Sequence, residues 1–284
     1  MGDKLSYYKF QNSVNPFGIL FHPLAIDQII YRAVNNLPFI EDDIFFKDGL
    51  WRCFEVHSAM NNSDKTAMLE NLNNLLTGTL ENIRNASHIV ITYGTAWVYR
   101  ECKTENIVAN CHKVSASQFK KEILSVDTIE GAIESTLSMI VNQNPTVHIL
   151  LTISPVRHLK DGMAENQRSK ANLFAGMHQV LEQRSDRVTY FPSYEIMMDE
   201  LRDYRYYNQD LIHPSPLAID YIWQKFADSY ISPKALLTMD KVASVRKALA
   251  HRTMNVGPND HNSHLEKIDE LIREIQADIP HIEF

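Results

Sequence analysis

Short apolar runs that end in turn-forming residues recur along the chain and predict buried β-strands. Two of these runs are continuous, at residues 89–93 and 147–153. Continuous runs of this length are typical of strands that are buried on both faces of a parallel sheet. Two further strands are predicted at residues 187–191 and at residues 10–14, where the apolar pattern is sparser.

Between the predicted strands, apolar residues recur in steps of three and four, as on one face of an amphipathic helix. This pattern predicts a helix over residues 65–85 and another that begins with Asp127 as its N-cap and ends before Pro145. Glu130 follows Asp127 by three residues, in the order of a capping box. Strands that alternate with helices imply a doubly wound, mostly parallel sheet. Further helices are predicted over residues 164–183, 193–204 and 215–230.

Two segments interrupt this alternation and are predicted to form β-hairpins. In residues 44–54 the pair Asp48-Gly49 lies between β-prone residues and suits a type I′ turn. The second hairpin spans residues 97–109 and follows almost directly on the strand that ends at Gly94. We therefore expect it to rise from the carboxyl edge of the sheet and to shape a ligand crevice there.

The end of the chain lacks strand signals. Its pattern predicts two amphipathic helices, at residues 240–253 and 264–277, separated by a loop at 255–262. We therefore predict two parts, which are a domain over residues 1–233 and a C-terminal helical extension over residues 234–284.

Composition narrows the classes of partner. The chain has 284 residues, of which 28 are Lys or Arg and 35 are Asp or Glu, and it contains no basic block. A nucleic-acid partner and an anionic membrane partner are therefore not expected. The 3 cysteines form no CxxC pair, which argues against a disulfide framework and a structural zinc site. No apolar run reaches 18 residues and the first residues lack the apolar centre of a signal peptide, so a cytoplasmic location is predicted. Separately, no metal and no cofactor are predicted.

Candidate chemistry is expected just past the strands, because ligands of open α/β sheets lie outside the carboxyl ends of the strands. A further candidate is Asp210, which precedes His213 by three residues at the start of a predicted helix. An aspartate so placed can orient an imidazole and stabilise its charge, which makes the histidine a general base for a hydroxyl group. Since this spacing also arises by chance, the alternative is a solvated loop without a role.

Six short motifs together resemble the GSCFA domain family, which is itself similar to the SGNH (GDSL-like) hydrolases. The resemblance covers roughly residues 1–233. In chain order the motifs are Asn15-Pro16-Phe17-Gly18-Ile19-Leu20, Gly94-Thr95-Ala96-Trp97-Val98-Tyr99, Asn110-Cys111-His112-Lys113, Ser154-Pro155-Val156-Arg157-His158, Phe191-Pro192-Ser193-Tyr194-Glu195 and Asp210-Leu211-Ile212-His213-Pro214-Ser215.

The resemblance implies a flavodoxin-like (SGNH hydrolase-like) three-layer α/β/α sandwich and a Ser-His-Asp triad. It assigns His213 as the catalytic base and Asp210 as the residue that orients it. Gly18 matches a glycine whose backbone N–H donates to the oxyanion, and Gly94 matches the glycine that opens the third conserved block. The wider superfamily has an asparagine donor in that block.

The segment from Gly94 to Trp97 contains no asparagine, so a substitute donor is needed. Asn15 and Asn110 are candidates for it. The family's nucleophile lies in a Gly-Ser-Cys-Phe-Ala stretch that runs into a helix similar to residues 1–10, so the serine is expected upstream of Met1 in a longer gene product. Ser6 and Ser13 do not follow a strand as a nucleophile turn requires.

The remaining candidates each have a structural alternative. Thr95, Ser154, Arg157 and His158 follow strand ends and are candidates to bind a polar or anionic substrate group, although a loop arginine equally suits a surface ion pair. Trp97 is the candidate substrate-contact aromatic, with plain packing as its alternative.

The function predicted from sequence is therefore hydrolysis of an ester, or acyl transfer from it, with a small molecule or an acylated carbohydrate as substrate. The alternatives are a non-catalytic module that binds a carbohydrate or an acyl group, and a sheet protein whose open position is filled by a partner. The sequence does not predict the oligomeric state.

Overall fold

The computed structural model describes residues 1–184, 187–250 and 258–284, with no side-chain detail for 258–267. The chain forms two compact units, of which one comprises residues 15–219 and the other comprises residues 1–14 together with 220–284. In the described residues the strands are β1 (Ile44–Lys47), β2 (Leu50–Cys53), β3 (His88–Tyr93), β4 (Trp97–Glu101), β5 (Ile107–Val108), β6 (Phe119–Ile123), β7 (His148–Ile153) and β8 (Val188–Tyr190). The helices are α1 (Gly2–Tyr7), α2 (Pro23–Val34), α3 (Lys65–Asn85), α4 (Val126–Gln143), α5 (Met163–Glu182), α6 (Ser193–Glu195), α7 (Pro216–Tyr230), α8 (Pro233–Ala250) and α9 (Pro258–Asp278).

The larger unit is a mixed α/β structure with three separate sheets. Its parallel sheet has the strand order β3-β7-β8, with Ile89 opposite Ile149 and Ile149 opposite Val188. The other two sheets are antiparallel, one formed by β1 and β2 and the other ordered β5-β4-β6. The predicted parallel sheet and both predicted hairpins are therefore present, whereas the complete flavodoxin-like sandwich stays a prediction.

Strand β3 is buried on one face only, contrary to the expected burial on both. Ile91 and Tyr93 are buried, whereas Val90 and Thr92 are exposed. The ladder to β7 ends with Ser154 N–H donating to Tyr93 O, so by parallel-strand geometry the backbone groups of Val90 and Thr92 point to the opposite edge. No strand within the described ranges pairs with that edge.

The core of the larger unit lies between the parallel sheet and two helices. Apolar residues of α4 and α5 pack against β7, which is buried from Ile149 to Ile153. Complete burial of side chains of this size contributes about 1.5 to 3 kcal/mol each. The fully buried helix residues in this cluster are Ile129, Ile133, Leu137, Ile140, Leu173, Met177 and Val180.

Several predicted elements are confirmed. Helix α3 spans the predicted residues, and Asp48 and Gly49 both have positive φ, at 51° and 77°, as a type I′ turn requires. The N-cap of α4 is Ser125 rather than Asp127, because the Ser125 hydroxyl oxygen accepts the N–H of Thr128 (3.2 Å). The cap prediction was therefore wrong by two residues.

Other predictions require correction. Residues 10–14 form no strand, and the Asn12 side chain donates to Phe10 O (2.8 Å), a local bond that competes with strand pairing. The helix predicted at 193–204 is limited to α6, which is followed by a π-helical turn at Ile196–Glu200. Neither α2 nor β6 was predicted. The N-cap of α2 is His22, which is not a common capping residue, and β6 carries three charged residues in five.

The smaller unit contains α1, the part of α7 from Asp220 onward, α8 and α9. Helices α8 and α9 begin earlier than predicted, at Pro233 and Pro258, and the predicted loop at 255–262 lies partly outside the described residues. Val242, Val245 and Ile268 are buried in one apolar cluster of this unit. The domain boundary at residue 233 stays a prediction. None of the described helices combines the length and the apolar character that crossing a bilayer requires.

Candidate active site

A buried lysine joins the carboxyl ends of β3 and β7. Lys170, on α5, is 0% exposed, and its Nζ donates to Gly94 O and to Ser154 O, both at 2.6 Å. These carbonyls belong to the first residues after the two strands. Burial lowers the pKa of the Lys170 ammonium to about 7. Lys170 therefore fixes the two strand ends to one another at the edge where a ligand is expected.

Two further buried polar residues lie on the same face of α5. Asn166 and Ser169 precede Lys170 by four residues and one residue, so all three lie close together on the helix. Asn166 Oδ1 accepts the N–H of His158 (2.8 Å), and Ser169 Oγ accepts the N–H of Ala96 (2.7 Å). This polar face of α5, comprising Asn166, Ser169 and Lys170, orders the loops that follow β3 and β7.

The turn after β3 is held by bonds that use its own polar groups. The N–H groups of Gly94 and Thr95 both donate to Phe21 O, at 2.8 and 3.1 Å. The Thr95 hydroxyl accepts the N–H of Trp97 (3.0 Å) and lies 3.0 Å from the hydroxyl of Ser169. Because Thr95 is buried and its hydroxyl is engaged, the structure turns this residue into the protein rather than towards a crevice.

His158 lies directly beside Gly94. A Cβ atom placed on Gly94 would be 3.5 Å from His158 Nε2, and the His158 ring packs edge-on against Phe21 with a centroid distance of 5.8 Å. Burial, and then the nearby charges of Lys170 and His213, lower the pKa of His158 to about 4. His158 is therefore a neutral imidazole at neutral pH, and it lies within electrostatic range of His213.

Asp210 and His213 form the hydrogen-bonded pair that the sequence predicts. His213 Nδ1 lies 2.7 Å from Asp210 Oδ2, while Asp210 Oδ1 accepts the N–H groups of Ile212 (2.9 Å) and His213 (3.0 Å). Hydrogen bonds from these N–H groups and from the imidazole lower the pKa of Asp210 to about 2. An ionised carboxylate at Nδ1 favours the tautomer with the proton there, which leaves Nε2 as a proton acceptor.

Arg157 connects the loop after β7 to the loop that carries this pair. Its Nη2 donates to the hydroxyl of Tyr207 (2.7 Å), its guanidinium lies 4.3 Å from the centroid of the Tyr207 ring, and its Nη1 donates to Leu211 O (3.5 Å). The loop also closes on itself, because Asn208 N–H donates to His213 O (2.8 Å). Arg157 is therefore a link between two loops and forms no surface ion pair among the described residues.

The Gly18 turn is closed by its own hydrogen bond. Gly18 N–H donates to Asn15 O (2.8 Å), so the donor that the resemblance assigns to the oxyanion is already engaged. Gly18 has a φ of +74°, and a Cβ there would lie 2.3 Å from His57 Cβ, so both conformation and space require glycine. Asn15 is exposed. The oxyanion roles of both residues stay predictions.

The other predicted site residues have structural partners. Asn110 Oδ1 accepts the N–H of His112 (2.8 Å), and Asn110 N–H donates to Phe54 O (3.2 Å), which places Asn110 beside the end of the first hairpin. Trp97 Nε1 donates to the carbonyl of Glu165 (3.3 Å). Ser154 Oγ accepts the N–H of Val156, two residues ahead in the chain (3.2 Å). No serine or threonine hydroxyl in the described ranges is hydrogen-bonded to His213.

The structure therefore brings Gly94, Ser154, Arg157, His158 and the loop of Asp210 and His213 to one region of the larger unit. The polar face of α5 was not predicted from sequence, although a signal for it exists. Its three residues begin the helix face that continues with Leu173, Met177 and Val180, so they are polar residues at positions where the periodicity places the core.

Comparisons with known proteins identify the family of this chain. A family model described as the GSCFA family matches residues 1–226. No curated protein matches. Among solved structures, the crystal structure of a carbohydrate esterase family 3 from Talaromyces cellulolyticus is similar at 13% sequence identity with a TM-score of 0.31. The match covers 58% of this chain and 65% of that chain, which is less than two thirds of its length.

Proposed function

This chain belongs to the GSCFA family, and from that premise we propose that it is the scaffold of a Ser-His-Asp ester hydrolase or acyltransferase. The observation that carries the proposal is the pair formed by His213 and Asp210, with 2.7 Å between Nδ1 and Oδ2. Because Asp210 remains ionised far below neutral pH, it can stabilise the imidazolium that forms when His213 accepts a proton.

In the proposed reaction, His213 Nε2 takes the proton of a serine hydroxyl as the oxygen attacks the carbonyl carbon of an ester. The tetrahedral intermediate collapses when the bond to the alcohol oxygen breaks, and His213 returns the proton to that alcohol. Water, or a second alcohol, then attacks the acyl-enzyme with His213 again as the base, which frees the acid or a new ester. Asp210 stays a carboxylate throughout.

We place the serine on a Gly-Ser-Cys-Phe-Ala strand that pairs with the open edge of β3. The support is the exposed Val90 and Thr92, and the backbone groups on that side of β3, which pair with no strand of the described ranges. A parallel strand there would end beside Gly94, because parallel strands bring their carboxyl ends to the same edge. The added strand would also extend the three-stranded sheet towards the flavodoxin-like sandwich, and we propose an acylated carbohydrate or a small ester as substrate.

The second candidate function is a module that binds a carbohydrate or an acyl group without reacting. It is favoured by one observation, which is that His213 has no hydroxyl partner among the described residues. As a binding module, the protein would recognise the ligand in the same region of the larger unit, where Arg157 and His213 would supply polar contacts.

The experiment compares ester turnover by the chain with and without a Gly-Ser-Cys-Phe-Ala strand fused before its first helix. We expect hydrolysis of 4-nitrophenyl acetate or of an acetylated oligosaccharide only by the fused chain. His213→Ala should reduce this rate by about a thousandfold or more, and His88→Ala, at the opposite end of β3, serves as the matched control. Turnover that depends on His213 without the strand would place the nucleophile elsewhere, and saturable binding without turnover would support the binding module.

A further inference from the structure

The turn that opens the third conserved block has no free backbone donor. Each of its four N–H groups already donates to a protein oxygen: Gly94 and Thr95 to Phe21 O, Ala96 to Ser169 Oγ, and Trp97 to the Thr95 hydroxyl. The Gly18 N–H is engaged as well. An oxyanion that forms beside Gly94 therefore needs a donor from another part of the chain.

The imidazole of His158 is free to supply that donor. It is half-buried, and in the part of the chain that the structure describes neither of its ring nitrogens makes a hydrogen bond. Its Nε2 lies beside Gly94, as the distance of 3.5 Å to a Cβ placed there shows. A Cβ on residue 94 would fill the space next to the ring and would also lie 3.2 Å from Phe21 O, so glycine leaves that space open.

The backbone and the ring of His158 each have a contact that restricts their position. Asn166 fixes the His158 backbone through its N–H, and Phe21 packs against the ring edge-on. Burial first, and then the charge of Lys170, act against protonation of His158. A donor that is already oriented needs no reorganisation when charge develops, which is the condition for strong stabilisation of a transition state.

We propose that His158 Nε2–H donates a hydrogen bond to the oxyanion of the tetrahedral intermediate, in the place where related hydrolases use an asparagine side chain. The proposal rests on the proposed function and deepens it. The two histidines then have separate tasks, since His158 stays neutral and donates whereas His213 accepts and returns the proton. Environments that separate the proton affinities of two neighbouring groups are a common basis for such a division.

The first test uses the chain as it exists and needs no turnover. Methylphosphonate, a small tetrahedral anion, is titrated into 15N-histidine-labelled protein while NMR follows the ring nitrogens. We expect a shift of the His158 Nε2 resonance and binding at least tenfold weaker in His158→Phe, which keeps an aromatic ring without a donor. His158→Gln, which retains an N–H donor, should restore part of the affinity, and His88→Gln should change nothing.

Absence of methylphosphonate binding, or equal binding by wild type and His158→Phe, would overturn the proposal.

The second test measures kcat and KM of the strand-fused chain. There His158→Phe should lower kcat by about a hundredfold or more with little change in KM, because the bond forms only in the transition state. If the fused wild type shows no turnover, the proposed function fails, and the NMR result then decides only whether His158 Nε2 donates to a tetrahedral anion. Full activity of His158→Phe would refute that role and leave the proposed function standing.

Discussion

Lys170 and His213 are both titratable residues of the candidate site, but the structure holds them in opposite ways. Lys170 is 0% exposed and bonds to carbonyls that lie 76 and 16 residues away in the chain. The side chain of His213 is 57% exposed, and its partner Asp210 lies three residues away. The buried half of the site, around Lys170, therefore depends on the tertiary fold. The exposed half, which is the loop of Asp210 and His213, is organised by its own hydrogen bonds.

The largest expected effect comes from removing the hydrogen-bond donor in the buried half. Lys170→Met keeps the length of the chain but leaves the carbonyls of Gly94 and Ser154 without their donor. Buried acceptors without partners cost about 1 to 3 kcal/mol each, so we expect the free energy of unfolding to fall by about 2 to 6 kcal/mol in urea denaturation. Arg168→Met, at an exposed position on the same helix, is the control.

In the exposed half, His213→Ala should change the free energy of unfolding by less than about 0.5 kcal/mol, as for most surface substitutions. If His213→Ala destabilised the protein as much as Lys170→Met does, the distinction between a buried half and an exposed half would be incorrect.

The same contrast explains what could be predicted from sequence. The pair of Asp210 and His213 was found because its geometry is local and a spacing of three residues encodes it. Lys170 was missed because its importance comes from carbonyls of two distant strands, which no local pattern reveals. Its polar character on a core-facing helix position was the available signal.

The prediction of the helices and strands shows the same dependence on separation along the chain. Helix α3 was predicted from its own periodicity, whereas the half-exposed state of β3 depends on which strands pair beside it. Helix α2 was missed because its N-cap is a histidine, which is not a common capping residue, and the Nε2 of this histidine is held by Val108 O, 86 residues away.

His22 is another buried titratable residue of the larger unit, and its role as N-cap depends on its protonation state. His22 Nδ1 accepts the N–H of Ala25 (3.1 Å) and Nε2 lies 3.2 Å from Val108 O, so its role as N-cap requires a neutral ring. Burial lowers the pKa of His22 from an ordinary value of 6.5 to about 4. The unfolded chain therefore binds more protons, and the stability that neutral His22 provides is present above pH 6.5 and is lost as the pH falls towards 4.

A shift of this size corresponds to about 3 kcal/mol. We expect His22→Asn, which retains a capping side chain, to be less stable than wild type at pH 7 and to approach it at pH 4. Thermal unfolding across this range measures the difference. A constant gap between the two proteins would show that His22 does not titrate with unfolding.

A smaller effect is expected at Ser169, which holds the turn after β3. Ser169→Ala removes the acceptor of the buried Ala96 N–H and the neighbour of the Thr95 hydroxyl. The loss should be about 1 to 3 kcal/mol, measured by urea denaturation with Ser117→Ala, at an exposed position, as the control. The turn should also loosen locally, with faster amide exchange at Ala96. Unchanged exchange there would mean that Lys170 and Phe21 order this turn without Ser169.

Only a small effect on global stability is expected where the two halves meet. Arg157 belongs to the loop after β7, yet its bonds go to Tyr207 and Leu211 in the loop of Asp210 and His213. A half-exposed contact between a guanidinium and a ring contributes about 0.5 to 1 kcal/mol. Arg157→Met should therefore change the free energy of unfolding by no more than about 1 kcal/mol.

The amide of Leu211, which donates to Asn208 O, should nevertheless exchange clearly faster in Arg157→Met, because the loop would lose its two bonds to Arg157. Tyr207→Phe, which retains the ring and loses the hydroxyl, separates the hydrogen bond from the stacking and should give an intermediate rate. If exchange at Leu211 is the same in wild type, Arg157→Met and Tyr207→Phe, then the loop orients Asp210 and His213 without help from the buried half. In that case the two halves are independent, and substitutions on the polar face of α5 should leave the geometry of the histidine–aspartate pair unchanged.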